Sequence, residues 1–161
     1  MKKGQAAVEY LMTYGWAILA LVIVMAVLFS TGIFSPSYLV SEECSFGNTI
    51  RCNFGFFNDA GSSKMLLTLY NGFPYKIRMK SLDLETTDGT QQFTGFDTGV
   101  DLESGANHTF SGTLGGAEVP EGNVKKFVGT VTYVSCAPEL GGCSDVEHTI
   151  TGRITAKPIP K

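Results

Sequence analysis

Residues 16–34 read WAILALVIVMAVLFSTGIF, and this apolar stretch decides how the chain is organised. It lies within a longer segment, residues 10–41, that contains no Asp, Glu, Lys or Arg. About 20 apolar residues are enough for a helix to cross a bilayer, so the sequence predicts a helix that is long and apolar enough to span a membrane. At ~1.5 Å per residue, a helix over residues 6–34 would be ~43 Å long, which exceeds the ~30 Å hydrocarbon core.

The charges that flank this segment predict its orientation. Lys2 and Lys3 precede it, and the next basic residue along the chain is Arg51. Because basic residues concentrate on the cytoplasmic side, we expect the N-terminus in the cytoplasm and everything after residue 34 outside. A cleaved secretory signal peptide is the alternative. Its apolar region is only ~7–15 residues long, however, and the small residues at 30–32 make a weak cleavage site.

Glu9 is the one acidic residue before residue 42, and it lies at the start of the apolar helix. A buried carboxylate costs up to ~3 kcal/mol at the bilayer centre and less near its edge, so it needs a partner. If the chain were cut between Gly4 and Gln5, the new α-amine would lie one helical turn from Glu9. In a helical array, the amine of one subunit would equally meet Glu9 of the next and fix the register of assembly. Alternatively, Glu9 lies in the headgroup layer of a single-pass anchor.

The first eleven residues, MKKGQAAVEYL, place a short basic leader, Gly4, Gln5 and a glutamate in order before an unbroken apolar helix. Over about 34 residues the chain closely resembles the class III signal sequence of archaeal type IV pilins. The resemblance implies that a prepilin peptidase cuts on the cytoplasmic side before Gln5. Residues 1–4 would then be a leader peptide, and residues 5–34 the transmembrane and filament-core helix. The chain departs from the family at Ala7, where a Ser is common.

The composition changes after residue 34. All 6 Pro, 16 of the 19 Gly and 14 of the 15 acidic residues lie in residues 35–161. Segments rich in β-branched and aromatic residues, separated by Gly, Asn, Asp and Pro, predict strands there. We therefore expect an α+β fold, with the long N-terminal helix followed by an extracellular antiparallel β-sandwich or barrel-like domain of about six to eight strands. The predicted strands are residues 65–70, 75–80, 108–114, 124–134 and 147–156.

Alternation within two of these strands predicts which side chains face the core. In residues 149–156 the even-numbered side chains are expected to face inward and the odd-numbered ones outward. In residues 75–80 three apolar side chains alternate with three cations, which indicates an outer, solvated sheet face rather than a binding patch. The apolar set is Tyr75, Ile77 and Met79, and the cations are Lys76, Arg78 and Lys80. Asn71-Gly72 and Asp88-Gly89 predict turns.

Four cysteines outside the cytoplasm are expected to be oxidised in pairs. Three connectivities are possible, and we favour the local one, Cys44 with Cys52 and Cys136 with Cys143. Each small loop would stabilise the fold by ~2 kcal/mol through restriction of the unfolded chain. A four-cysteine zinc site is the competing interpretation, but the spacing of two to four residues that is typical of such sites is absent.

Asn107 begins Asn-His-Thr, the single N-glycosylation triplet in the chain, and the predicted orientation places it on the correct side of the membrane. Little else in the sequence indicates a catalytic or ligand-binding site. His108 and His148 both fall in predicted strands, and no nucleophile or phosphate-binding motif is present. The acidic residues Asp97, Asp101 and Glu103 lack the spacing of a Ca²⁺ loop and indicate a solvated acidic loop. We therefore expect no enzyme activity, no cofactor and no metal site.

These features favour a structural subunit that is held in the cell membrane and then polymerises into an extracellular type IV-like pilus filament for surface or cell adhesion. By resemblance, its partners are other copies of itself, the prepilin peptidase, a pilus assembly ATPase and a membrane platform. The 12 basic and 15 acidic residues, with no basic run longer than two, argue against nucleic acid as a partner. The alternative is a monomeric membrane-anchored extracellular binding module or receptor.

Overall fold

The computed structural model describes residues 2–31 and 40–159, and the chain divides into two compact units, Met1–Val40 and Ser41–Lys161. The first unit contains one helix, and the second contains two antiparallel sheets, which confirms the expected α+β fold. Helix α1 spans Lys2–Ser30. The strands are β1 Glu43–Ser45, β2 Ile50–Asp59, β3 Ser62–Asn71, β4 Lys76–Thr86, β5 Phe93–Thr94, β6 Val100–Leu102, β7 Asn107–Leu114, β8 Lys125–Cys136 and β9 Glu147–Ala156.

Hydroxyl groups mark the C-terminal end of α1. Ser30 Oγ donates to the carbonyl oxygen of Val27 at 2.8 Å, and Thr31 Oγ1 donates to that of Leu28 at 2.9 Å. The Thr31 hydroxyl gives the Leu28 carbonyl a partner in the last turn, where carbonyl groups lack helical donors, and the Val27 carbonyl also accepts the Thr31 N–H at 3.0 Å. The sequence predicted a helix as far as residue 34, whereas α1 ends at Ser30; residues 32–34 lie outside the described residues.

The two sheets of the second unit share one hydrophobic core. The five-stranded sheet has the order β1-β9-β8-β4-β6, and the four-stranded sheet has the order β2-β3-β7-β5. Two hairpins, β2–β3 and β8–β9, stay within a sheet, while the other connections between consecutive strands pass from one sheet to the other. The largest fully buried side chains include the rings of four phenylalanines, Phe46, Phe56, Phe110 and Phe127. The core is therefore formed by side chains from strands that are distant in sequence.

All five predicted strands are confirmed, and so is the inward face of β9, where Gly152, Ile154 and Ala156 are buried. In β4 the predicted alternation holds for the buried Ile77 and Met79 and then shifts at an irregularity between Met79 and Ser81. The sequence missed four strands, of which β2 is the longest. Asparagines and a glycine lower the β propensity of β2, and its hairpin turn has Ala60 at φ 52°, where Asn or Gly is usual.

Two glycines make room for a ring in the centre of the five-stranded sheet. Gly129 of β8 pairs with Gly152 of β9, and the fully buried Phe46 lies against both. A Cβ atom at Gly129 would lie 2.5 Å from the Phe46 ring. A Cβ atom at Gly152 would clash with the same ring and would also lie 2.6 Å from the main-chain oxygen of Ser45. The space at Gly129 is thus limited mainly by side chains, and that at Gly152 also by backbone.

We expect Gly129→Ala and Gly152→Ala each to lower the free energy of unfolding by about 1–3 kcal/mol, because both overpack the core. In a Phe46→Leu background the added cost of Gly129→Ala should shrink, whereas Gly152→Ala should stay costly because the Ser45 oxygen remains. Urea unfolding of the detergent-solubilised chain, followed by circular dichroism, measures both effects. Equal costs of the two substitutions in both backgrounds would contradict this account.

Asn71 ties the β3–β4 connection, where the chain changes sheet, to the end of β6. Its side chain is 1% exposed, and its Nδ2 donates to the carbonyl oxygens of Tyr75, Leu102 and Glu103 at 3.0, 2.9 and 3.1 Å. Its Oδ1 accepts the N–H of Phe73 at 2.9 Å. The predicted turn at Asn71-Gly72 is therefore present, but it joins two sheets instead of closing a hairpin.

Replacing Asn71 with Ala should lower the free energy of unfolding by about 3 kcal/mol, because partly buried main-chain groups lose their partners. Asn123→Ala is the matched control, since Asn123 is exposed in a turn and its loss should change stability by less than ~0.5 kcal/mol. Both are measured by urea unfolding. A variant at Asn71 as stable as the control would show that the turn holds without this side chain.

Candidate functional site

The surface of α1 is the largest unusual feature of the described chain. From Val8 to Ser30 the helix is long and apolar enough to cross a membrane, and none of it is buried within the chain. Its large side chains are widely exposed, as at Trp16 with 74% and Met12 with 69%. A helix that is apolar on all sides is normally covered by lipid or by protein. This surface therefore needs a covering that the chain does not supply among its described residues.

Glu9 is the single charged side chain on this apolar span. The side chain is exposed, and among the described side chains none pairs with its carboxylate. Thr13 Oγ1 donates to the main-chain oxygen of Glu9 at 2.9 Å, which is an internal helix contact. The helical backbone runs through Gly4 and Gln5, so the predicted cleavage point lies in the first turn, where main-chain N–H groups have no helical partner. The Gln5 side chain lies outside the described ones.

The aromatic side chains near this end of the helix lie close together. The ring centroids of Tyr10 and Tyr14 are 4.4 Å apart, as expected for neighbours one turn apart on a helix. Gly15 lies in open space, where an added Cβ atom would meet nothing. Among the described residues, no contact therefore explains a glycine at this position, which leaves a shallow point on the helix surface.

The two disulfides join Cys44 to Cys52 and Cys136 to Cys143, the local pairing that the sequence favoured. The first connects β1 of the five-stranded sheet with β2 of the four-stranded sheet. The second closes the loop that follows β8 and encloses the 3-10 turn Pro138–Leu140. The first bridge thus links the two layers, and the second restrains one loop.

Two cations of β4, Lys76 and Arg78, form ion pairs with acidic residues in and beside β6. The expected solvated acidic loop holds for the exposed Asp97 and Glu103, but Asp101 is a strand residue with two cationic partners. Asp101 lies in β6, and its Oδ1 accepts from Arg78 Nε at 2.6 Å. Lys76 Nζ lies 3.0 Å from Asp101 Oδ2 and 3.3 Å from Glu103 Oε1. The register places Arg78 directly opposite Asp101. Lys80, by contrast, is exposed and forms no ion pair among the described residues.

Hydrogen bonds lower the pKa of two carboxyl groups, those of Asp101 and Asp88. The Arg78 guanidinium and the Lys76 ammonium hold the pKa of Asp101 at about 2, despite some desolvation. The hydroxyl groups of Thr86 and Thr90 and the main-chain N–H of Thr90 likewise hold the pKa of Asp88 at about 2. Asp88 lies in the turn predicted at Asp88-Gly89. Both groups favour the folded chain only while they are ionised.

The stability of the β unit should therefore fall in acid. Because the pKa of Asp101 is about 2 in the folded chain and ~3.9 in an unfolded one, its contribution is complete above about pH 5 and is lost towards pH 2. Asp101→Asn should have a lower unfolding temperature than the wild type at pH 7, and the gap should close near pH 2. Glu121→Gln, in an exposed turn, is the control for a lost charge. A gap at Asp101 that stays constant with pH would contradict the assignment.

In the described part of the chain, one histidine lies at the surface and the other beside a ring, and the two lie in different strands. His108 Nε2 lies 3.5 Å from Asp97 Oδ2 at the surface, and the ring of His148 lies against Tyr133. Both histidines are in strands, as predicted. Within residues 2–31 and 40–159, the described His, Cys, Asp and Glu side chains form no cluster of three that could hold a metal ion.

Asn107 lies at the start of β7 with its side chain exposed on the outer face of the four-stranded sheet. Its register partner on β3 is Tyr70, whose own partner on β2 is Arg51. The three form one row across three strands, which the sequence could not reveal because β2 was not predicted.

Comparison of the chain with models of protein families and with curated proteins gives no match.

Proposed function

We propose that this protein is the structural subunit of an extracellular filament of the type IV pilus kind, used for adhesion to surfaces or cells. The observation that carries the proposal is an apolar helix with no burial in its own chain that bears one carboxylate near its N-terminal end. The resemblance of residues 1–34 to archaeal type IV pilins supports the same interpretation. The prepilin peptidase, an assembly ATPase and a membrane platform are the partners that the resemblance implies.

The length of the helix favours a second environment besides lipid. After cleavage before Gln5, residues 5–30 of α1 would extend for ~39 Å, while the bilayer core is ~30 Å thick. In a bundle of identical helices the whole apolar length is covered by protein. Small residues at positions such as Gly15 allow helix backbones to approach one another closely. The bilayer would then store the subunit, and the bundle would be its final location.

Glu9 gives the bundle its register. After cleavage before Gln5, the new α-amine carries a positive charge at neutral pH and lies one turn from Glu9. An ion pair between subunits offsets the desolvation of both groups, whereas a carboxylate left without a partner in a packed bundle is strongly unfavourable. An anchor that simply remained in lipid would not require this carboxylate.

Glu9→Ala should abolish filaments while leaving the chain processed, membrane-bound and folded. Glu118→Ala, an exposed acidic residue of the β unit, is the matched control and should leave the filament yield unchanged. Filaments released by shearing are counted by electron microscopy, and mass spectrometry determines whether the chain begins at Gln5. Circular dichroism checks the fold of each variant.

Two results would overturn the proposal. Normal filament yield from Glu9→Ala would remove the role of the carboxylate. A wild-type chain recovered only from membranes, uncut and never in fibres, would favour the monomeric membrane-anchored binding module.

A further inference from the structure

The outer face of the four-stranded sheet brings an asparagine acceptor beside an aromatic side chain. Asn107 and Tyr70 are direct partners across β7 and β3, and both side chains point away from the core. The Tyr70 side chain is 37% exposed, although it is a large ring on a polar sheet face. Arg51 continues the row on β2 and is also exposed.

A cleft of about 550 Å³ opens at this end of the sheet, and Tyr70 forms part of its wall. Its volume is within the range of small-molecule sites, ~300–1,000 Å³. Arg51 and Asn48 supply hydrogen-bond donors at its border, and Gly72 and Gly105 leave it free of side chains from the neighbouring turns. An aromatic face together with side-chain donors suits a sugar, which has an apolar C–H face and a rim of hydroxyl groups.

We propose that Asn107 carries an N-linked glycan whose first sugars lie on Tyr70 and extend into this cleft. The occupant is argued from the chain itself, because the acceptor triplet Asn107-His108-Thr109 begins at the residue beside Tyr70. The inference requires that the β unit lie outside the cytoplasm, as Lys2 and Lys3 predict, and does not require a filament.

The chemistry is a glycosyl transfer from a lipid-phosphate-linked oligosaccharide. A bond forms between Asn107 Nδ2 and the anomeric carbon of the first sugar, and the bond from that carbon to the phosphate oxygen breaks. The lipid phosphate leaves with the electron pair, and one amide proton passes to water. No residue of this chain is needed to catalyse the step, which belongs to a membrane transferase.

The fold also sets when the transfer occurs. The hydroxyl groups of Thr109 and Thr68 are hydrogen-bonded at 2.8 Å, and the β7 backbone is paired with β3 from Asn107 to Thr113. A transferase must hold the triplet in its own site, so it has to act before β3 and β7 pair. We therefore expect the glycan to be added to the newly translocated, unfolded chain.

Mass spectrometry of the chain purified from the cells that make it tests the modification. The tryptic peptide covering residues 81–125 contains Asn107, and fragmentation distinguishes it from Asn123 in the same peptide. We expect a glycan mass on Asn107 in the wild type and in Thr109→Ser, and none in Thr109→Ala. Asn53→Gln, on the same outer face but outside any triplet, should leave it in place. An unmodified wild-type peptide would overturn the inference.

Thermal unfolding tests the position of the glycan. Asn107→Gln should lower the unfolding temperature of the native glycosylated chain by about 3 °C, and should have no such effect in a Tyr70→Ala background that keeps its glycan. The chain produced in a host without N-glycosylation provides the baseline, where Asn107→Gln should cause no shift. Equal shifts with and without Tyr70 would overturn the contact.

The two proposals fail separately. Unmodified chains that still form filaments would contradict the glycan alone. Glycosylated chains that never form filaments would contradict the filament alone.

Discussion

The apolar surface of α1 is the constraint on which the rest of this molecule depends. A helix that buries none of its span from Val8 to Ser30 is not stable as an isolated rod in water. Lipid or identical helices must cover it, and only the packed helices would require a partner for the Glu9 carboxylate. The β unit is different in kind, because its own two sheets cover its core.

The sequence was most informative where a local pattern has one physical meaning. An apolar run of membrane length predicts a helix whatever surrounds it, and cysteines seven and eight residues apart pair locally when both loops can close. The strand β9, which alternates over residues 149–156, was likewise predicted at its observed bounds. Each of these features depends on residues that are close together along the chain.

Features that depend on which strands pair, rather than on local composition, were beyond the sequence. β2 carries weak strand propensity and is held by ten register pairs with β3, so tertiary pairing overrides composition. Asp101 and Arg78 are 23 positions apart, and only the β4–β6 register shows that the acidic residue is a partner for the cation. The row of Arg51, Tyr70 and Asn107 could not be predicted either, because it depends on the registers of β2, β3 and β7. The acceptor triplet at Asn107 could be read from the sequence alone.

The disulfide between Cys44 and Cys52 has a mechanical consequence. A pull applied from the N-terminal side of the chain enters the β unit at residue 41 and reaches β1, which has only three register pairs with β9. Strands this short peel apart readily when tension is applied at one end. The covalent bridge passes the tension from Cys44 directly to β2, whose ten pairs with β3 share it along their length. A subunit that is pulled through its helix would thus keep the five-stranded and four-stranded sheets joined under load.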